Sequence, residues 1–168
     1  MKQYIFVVMI LSALFSGCGT APRAPKGNVI YCSYAATGVA GLGKNYCELI
    51  ADPGTDPKVR VVLDEDCHFA ERRSAEYKAK ARDVQAIQKT LSEIKVQKLD
   101  GYFVEEAMTG GTIYRIHVEY DTGEKITAQW YGHDIKDEAW QAYHQIERFF
   151  QPWRQKLEDQ RAADRDRQ

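Results

Sequence analysis

From residue 28 onward, short runs of alternating hydrophobic and polar positions give way to apolar residues recurring every three or four positions, and this happens twice. In the first half, Asn28–Ala35, Lys44–Ala51 and Lys58–Leu63 read as strands. Val59, Val61 and Leu63 fall on one face of the third and Arg60 on the other, since side chains alternate across a strand. The dense turn signal Asp52-Pro53-Gly54-Thr55-Asp56-Pro57 separates the second from the third. A helix is then predicted over Ser74–Lys95, with Tyr77, Ala81, Val84, Ile87, Leu91 and Ile94 on its apolar side and Ser74 as N-cap. The second half repeats the order with Leu99–Ala107, Thr112–Tyr120 and Lys125–Gly132 as strands. Tyr114, Ile116, Val118 and Tyr120 share one face, as do Ile126, Ala128 and Trp130, which leaves Tyr131 pointing outward. A final helix, capped by Asp134, carries Trp140, Tyr143, Ile146, Phe150, Trp153 and Leu157, and Pro152 should bend or break it near Phe149.

These elements imply an α+β fold: antiparallel sheet arranged as two βββα units, with two amphipathic helices covering the apolar faces. The domain should occupy residues 28–157. Residues 158–168 (EDQRAADRDRQ) read as a charged, solvated tail.

The start of the chain follows another pattern. Met1-Lys2-Gln3 is followed by the apolar run YIFVVMILSALF and then by Ser16-Gly17-Cys18. A charged start, an apolar core of about a dozen residues and small residues beyond it make a secretory signal, here residues 1–17. Ser16-Gly17-Cys18 resembles the end of the lipobox of bacterial lipoproteins, with Phe15 where that motif prefers Leu. The resemblance implies that Cys18 becomes the first mature residue and carries the acyl chains of a membrane anchor. Several chains together hold firmly, at about 0.8 kcal/mol per buried methylene. By the same resemblance, Gly19 rather than Asp at the second mature position implies the outer membrane. Residues 18–27, rich in Pro and Gly, read as the lipidated cysteine and a spacer.

Charge is nearly balanced, with 23 basic against 24 acidic residues, and no basic stripe implies a nucleic-acid partner. The cysteines left are Cys32, Cys47 and Cys67. Beyond the inner membrane disulfides are permitted. If Ala35 faces Lys44 in the first hairpin, Cys32 lies opposite Cys47, and a bridge there would contribute about 3 kcal/mol. The alternative is that all three are buried thiols behaving as small apolar residues.

Several motifs carry candidate chemistry. Gly38-Val39-Ala40-Gly41-Leu42-Gly43-Lys44 fits most of a phosphate-binding loop. Asn45 replaces its Ser or Thr, and a strand rather than a helix follows, so a hairpin loop is the better reading. Asp64-Glu65-Asp66-Cys67-His68 could offer metal ligands, but no second His/Cys pair stands at zinc spacing, so neither metal nor cofactor is expected. Asp66-Cys67 followed by His117-Val118 resembles the papain-type cell-wall endopeptidases, which implies Cys67 as nucleophile and His117 as base. That family has Ser-Gly after the cysteine where His68-Phe69 stands here. Among the aromatics, Phe149 and Phe150 are adjacent and cannot both point at one core. Phe149, Trp153 and Tyr131 are therefore candidates for contact with a partner.

The spacer, the Tyr-x-Ile-x-Val-x-Tyr strand and the aromatic final helix are similar to uncharacterised bacterial envelope lipoproteins, a likeness that implies no activity. The leading expectation is a lipid-anchored, non-catalytic binding or scaffolding module of the cell envelope, with an envelope protein or polymer as partner. The alternatives are a cysteine hydrolase using Cys67 and His117, or an inhibitor of a secreted enzyme presenting the 36–43 loop.

Overall fold

The alternating segments pair into one antiparallel sheet. The structure, a computed structural model, describes residues 23–38, 44–64, 73–104, 111–132 and 136–167. The strands are β1 (Val29–Gly38), β2 (Lys44–Ile50), β3 (Lys58–Asp64), β4 (Arg73–Lys78), β5 (Thr112–Tyr120) and β6 (Lys125–Tyr131). Their order across the sheet is β4-β3-β2-β1-β5-β6, so β1 is central and pairs with both β2 and β5. Helix α1 (Ala81–Glu93) follows β4, and α2 (Asp137–Arg165) follows β6.

One face of the sheet makes the core with both helices. Cys32, Tyr34, Cys47, Leu49, Val59 and Val61 come from β1 to β3, and Ile116, Val118, Ala128 and Trp130 from β5 and β6. Ile87 and Leu91 of α1 and Tyr143, Ile146 and Phe150 of α2 close over them. Tyr34 packs against Tyr143 and Phe150 with ring centroids 5.3 and 5.5 Å apart. Its hydroxyl accepts a hydrogen bond from Arg154 Nη1, which also donates to Glu147 Oε1. No described element packs against the opposite face.

The fold is α+β, as the periodicities require, but its partition is four strands, a helix, two strands, a helix. Arg73–Lys78 is the fourth strand, not the first turn of a helix. Ala75 and Tyr77 pack against the core while Glu76 faces Arg60 on the other side. Helix α1 therefore begins later, where the Lys80 backbone N–H donates to Asp83 Oδ2 at 2.7 Å. Where a strand is expected over Leu99–Ala107, the described residues 99–104 hold the end of a 3₁₀ turn (Val96–Leu99) and a short extended piece. Gly101 N donates to Thr127 O, Gln129 N to Tyr102 O, and Val104 N to Gln129 O. Those bonds cover the outer edge of β6, an edge otherwise open to another strand.

Three further expectations are corrected. The register is Ala35 opposite Tyr46, so Cys32 faces Leu49 and Cys47 faces Tyr34. Both cysteines lie on the core face but two positions out of step, and both thiols are free and buried. Helix α2 runs through Pro152 unbroken, because the stripe on both sides of it, from Tyr143 to Leu157, is held against the sheet. Residues 158–165 of the expected charged, solvated tail are mostly exposed but continue that helix, and Tyr77 donates to Gln160 Oε1. Asp134, the expected cap of α2, lies outside the described residues, while Asp137 and Glu138 occupy the first turn, where the helix dipole favours them.

Candidate functional site

Strand alternation places a band of polar side chains on the face away from the helices. Register aligns Glu76, Arg60, Glu48, Ser33, His117 and Thr127 across all six strands. At the centre Glu48 is only 5% exposed. Its Oε2 accepts hydrogen bonds from the Tyr31 and Tyr46 hydroxyls, and Arg60 Nη1 lies 3.0 Å from Oε1. Burial raises the pKa of both phenols, and the neighbouring Glu48 adds to it. These two tyrosines are therefore neutral donors and the carboxylate their acceptor.

His117 lies next along this band. Its Nδ1 is 2.9 Å from Thr127 Oγ1 and its Nε2 is 2.7 Å from Glu119 Oε1, so both ring nitrogens are engaged. Its ring meets Tyr31 edge-on at 5.6 Å. Lys125 also reaches Glu119, at 3.0 Å. The bond from His117, reinforced by Lys125, holds the Glu119 carboxyl below the ordinary glutamate range. A general base needs a nitrogen lone pair within reach of the proton it takes. Here Glu119 holds Nε2 and Thr127 Oγ1 lies against Nδ1.

A second cluster lies towards β6. Arg115 and Gln129 are opposite each other, and Arg115 Nε donates to Gln129 Oε1 at 2.7 Å. That bond fixes the guanidinium plane and leaves the two terminal nitrogens directed elsewhere. On the far side of Gln129, Phe103 forms a single parallel bridge, so the two side chains share a face. Phe103 is 59% exposed. Tyr131 stands two residues along β6 on the same face, with Trp130 fully buried behind it.

The residues singled out from sequence are scattered. His117 and Tyr131 are both on this face. Phe149 and Trp153 are half-buried, 5.4 Å apart between ring centroids, and pack against the core cluster rather than standing free. Cys18, Cys67 and His68 lie outside the described residues, as does most of the 36–43 loop. Lys44 opens strand β2, so no helix N-terminus follows the glycine-rich loop to receive a phosphate. Phe103, Arg115, Gln129 and Glu48 were missed. The adjacent pair Tyr102-Phe103 was the available signal for one of them, since neighbours in an extended segment point to opposite faces.

Among the described residues, no group of three His, Cys, Asp or Glu is placed to hold a metal ion. No helix among them is long and apolar enough to cross a membrane. No protein-family model matches the chain, and no curated protein matches it.

Proposed function

We propose that this chain is a lipid-tethered protein of the bacterial cell envelope that binds a partner and performs no catalysis. In this reading residues 1–17 are removed, Cys18 carries the acyl chains, and the spacer holds the domain off the outer membrane. The observation that carries the binding role is the β5–β6 end of the sheet face away from the helices, which no described element covers. It presents an exposed Phe103 and a hydrogen-bonded Arg115–Gln129 pair on a rigid six-stranded support, next to a polar band whose groups are already paired with one another. Rigid presentation of aromatic and polar groups lowers the entropic cost of binding.

A photo-crosslinking residue in place of Lys125, exposed on this face, tests the proposal in intact envelopes. Gln145, exposed on α2, serves as the control position. Adducts should form from position 125 and not from 145, and should persist in a Cys67→Ala background. Absence of adducts at 125, or their loss on Cys67→Ala, would refute the binding-module reading.

A further inference from the structure

We infer that the β5–β6 end of the sheet face away from the helices docks a carboxylate-bearing glycan. Arg115 would take the carboxylate, and Phe103 and Tyr131 would lie against the sugar rings. The inference rests on the binding-module reading and names the class of its partner.

Among Phe103, Arg115, Gln129 and Tyr131, the one formal charge is that of Arg115. Among the described residues Arg115 has no carboxylate within ion-pair distance, whereas Arg60 and Lys125 both do. Spending Nε on Gln129 leaves the terminal nitrogens as a fork of fixed plane, the geometry that matches a carboxylate with two parallel bonds. Phe103 and Arg115 flank Gln129 from opposite sides. Strand spacing puts them about 10 Å apart, with Tyr131 beside them. A guanidinium, an amide and aromatic rings on one face of the sheet suit a ligand with both polar edges and apolar C–H faces. Sugars have that character.

An acidic peptide is the competing occupant, and the edge of the sheet argues against it. A peptide gains most by adding a strand to an exposed edge. The β6 edge is already filled by Gly101, Tyr102 and Val104, whose backbone groups bond to Thr127 and Gln129. A glycan needs no backbone ladder, and the side chains of this face are what it can use.

The full chain in uncharged detergent would be titrated with polygalacturonate, with neutral amylose and poly-L-glutamate in parallel. Wild type should bind polygalacturonate at least about tenfold more tightly than either control. Arg115→Ala and Phe103→Ala should each weaken that binding about tenfold or more, with the thermal midpoint unchanged. Arg115→Lys should recover only part of it, since the charge returns without the fork. Failure of wild type to bind, variants that bind like wild type, or equal binding of polyglutamate would overturn the inference. Crosslinking from position 125 does not depend on the glycan. If adducts form there while polygalacturonate fails, the glycan is wrong and the binding module stands.

Discussion

Replacing Glu48 by alanine should destabilise the domain more than the same change at either of its partners Tyr31 and Arg60 on the face away from the helices. The Glu48 carboxylate, 5% exposed in a central position, accepts from two tyrosine hydroxyls and pairs with Arg60. A hydrogen bond to a charged group contributes about 1.5–3 kcal/mol. The loss is smaller than the sum, for two structural reasons. The Tyr31 and Tyr46 hydroxyls are 2.6 Å apart and half-buried, so without Glu48 they can bond to each other or to water. The Arg60 side chain is 47% exposed, and an ion pair so open to solvent contributes roughly 1 kcal/mol or less. The net expectation for Glu48→Ala is about 2–3 kcal/mol, or roughly 6–9 °C in thermal midpoint for a chain of this size. Arg60→Ala should cost less than about 1 kcal/mol, and Tyr31→Phe about 1 kcal/mol. Urea unfolding followed by far-UV circular dichroism would give all three values. A Glu48→Ala cost below about 0.5 kcal/mol, or an Arg60→Ala cost equal to it, would show that the tyrosine bonds do not hold this face together.

Pro152 lies exposed inside α2, where it removes one backbone bond. Pro152→Ala should stabilise by about 1–2 kcal/mol, the helix gain less the entropy returned to the unfolded chain, and a destabilised variant in calorimetry would contradict this. Burial pushes the Cys47 thiol up to about 11 and raises that of Cys32 as well. Peptides carrying Cys32 and Cys47 should therefore take up iodoacetamide at pH 8 only after unfolding, and should never appear linked by a disulfide in the mass spectrum. Burial also pushes the Tyr120 hydroxyl up to about 12. The folded chain keeps a proton there that the unfolded chain loses near pH 10. Stability should thus be intact below pH 10 and fall as pH climbs towards 12, and unfolding free energies that stay flat over that window would count against the packing of Tyr120.

Five of the six strands were legible because turn chemistry brackets them. Gly54 and Gly123 sit at positive φ in the turns that the Asp-x-Gly signals mark. The exception, β4, was hidden by a coincidence of spacing. Tyr77, Ala81 and Val84 fall at helical steps, yet Tyr77 belongs to a strand and Ala81 is exposed at the start of α1. Periodicity over so short a segment does not separate the two states, and pairing with β3 decided it. The hairpin register was open for a similar reason. A shift by two residues leaves every side chain on its face, so the hydrophobic pattern does not distinguish Ala35 opposite Lys44 from Ala35 opposite Tyr46. The candidate site was hardest to see. Arg115, Gln129 and Phe103 are far apart in the chain, and Phe103 joins β6 beside Gln129 through a single bridge from outside any regular strand.

The proposed tether at Cys18 is tested most directly by feeding cells an alkyne fatty acid and recovering the protein by click chemistry. Wild type should be labelled and stay with the membrane fraction, and Cys18→Ser should be unlabelled. An unlabelled wild-type chain, or one released into the medium with residues 1–17 removed, would contradict the account.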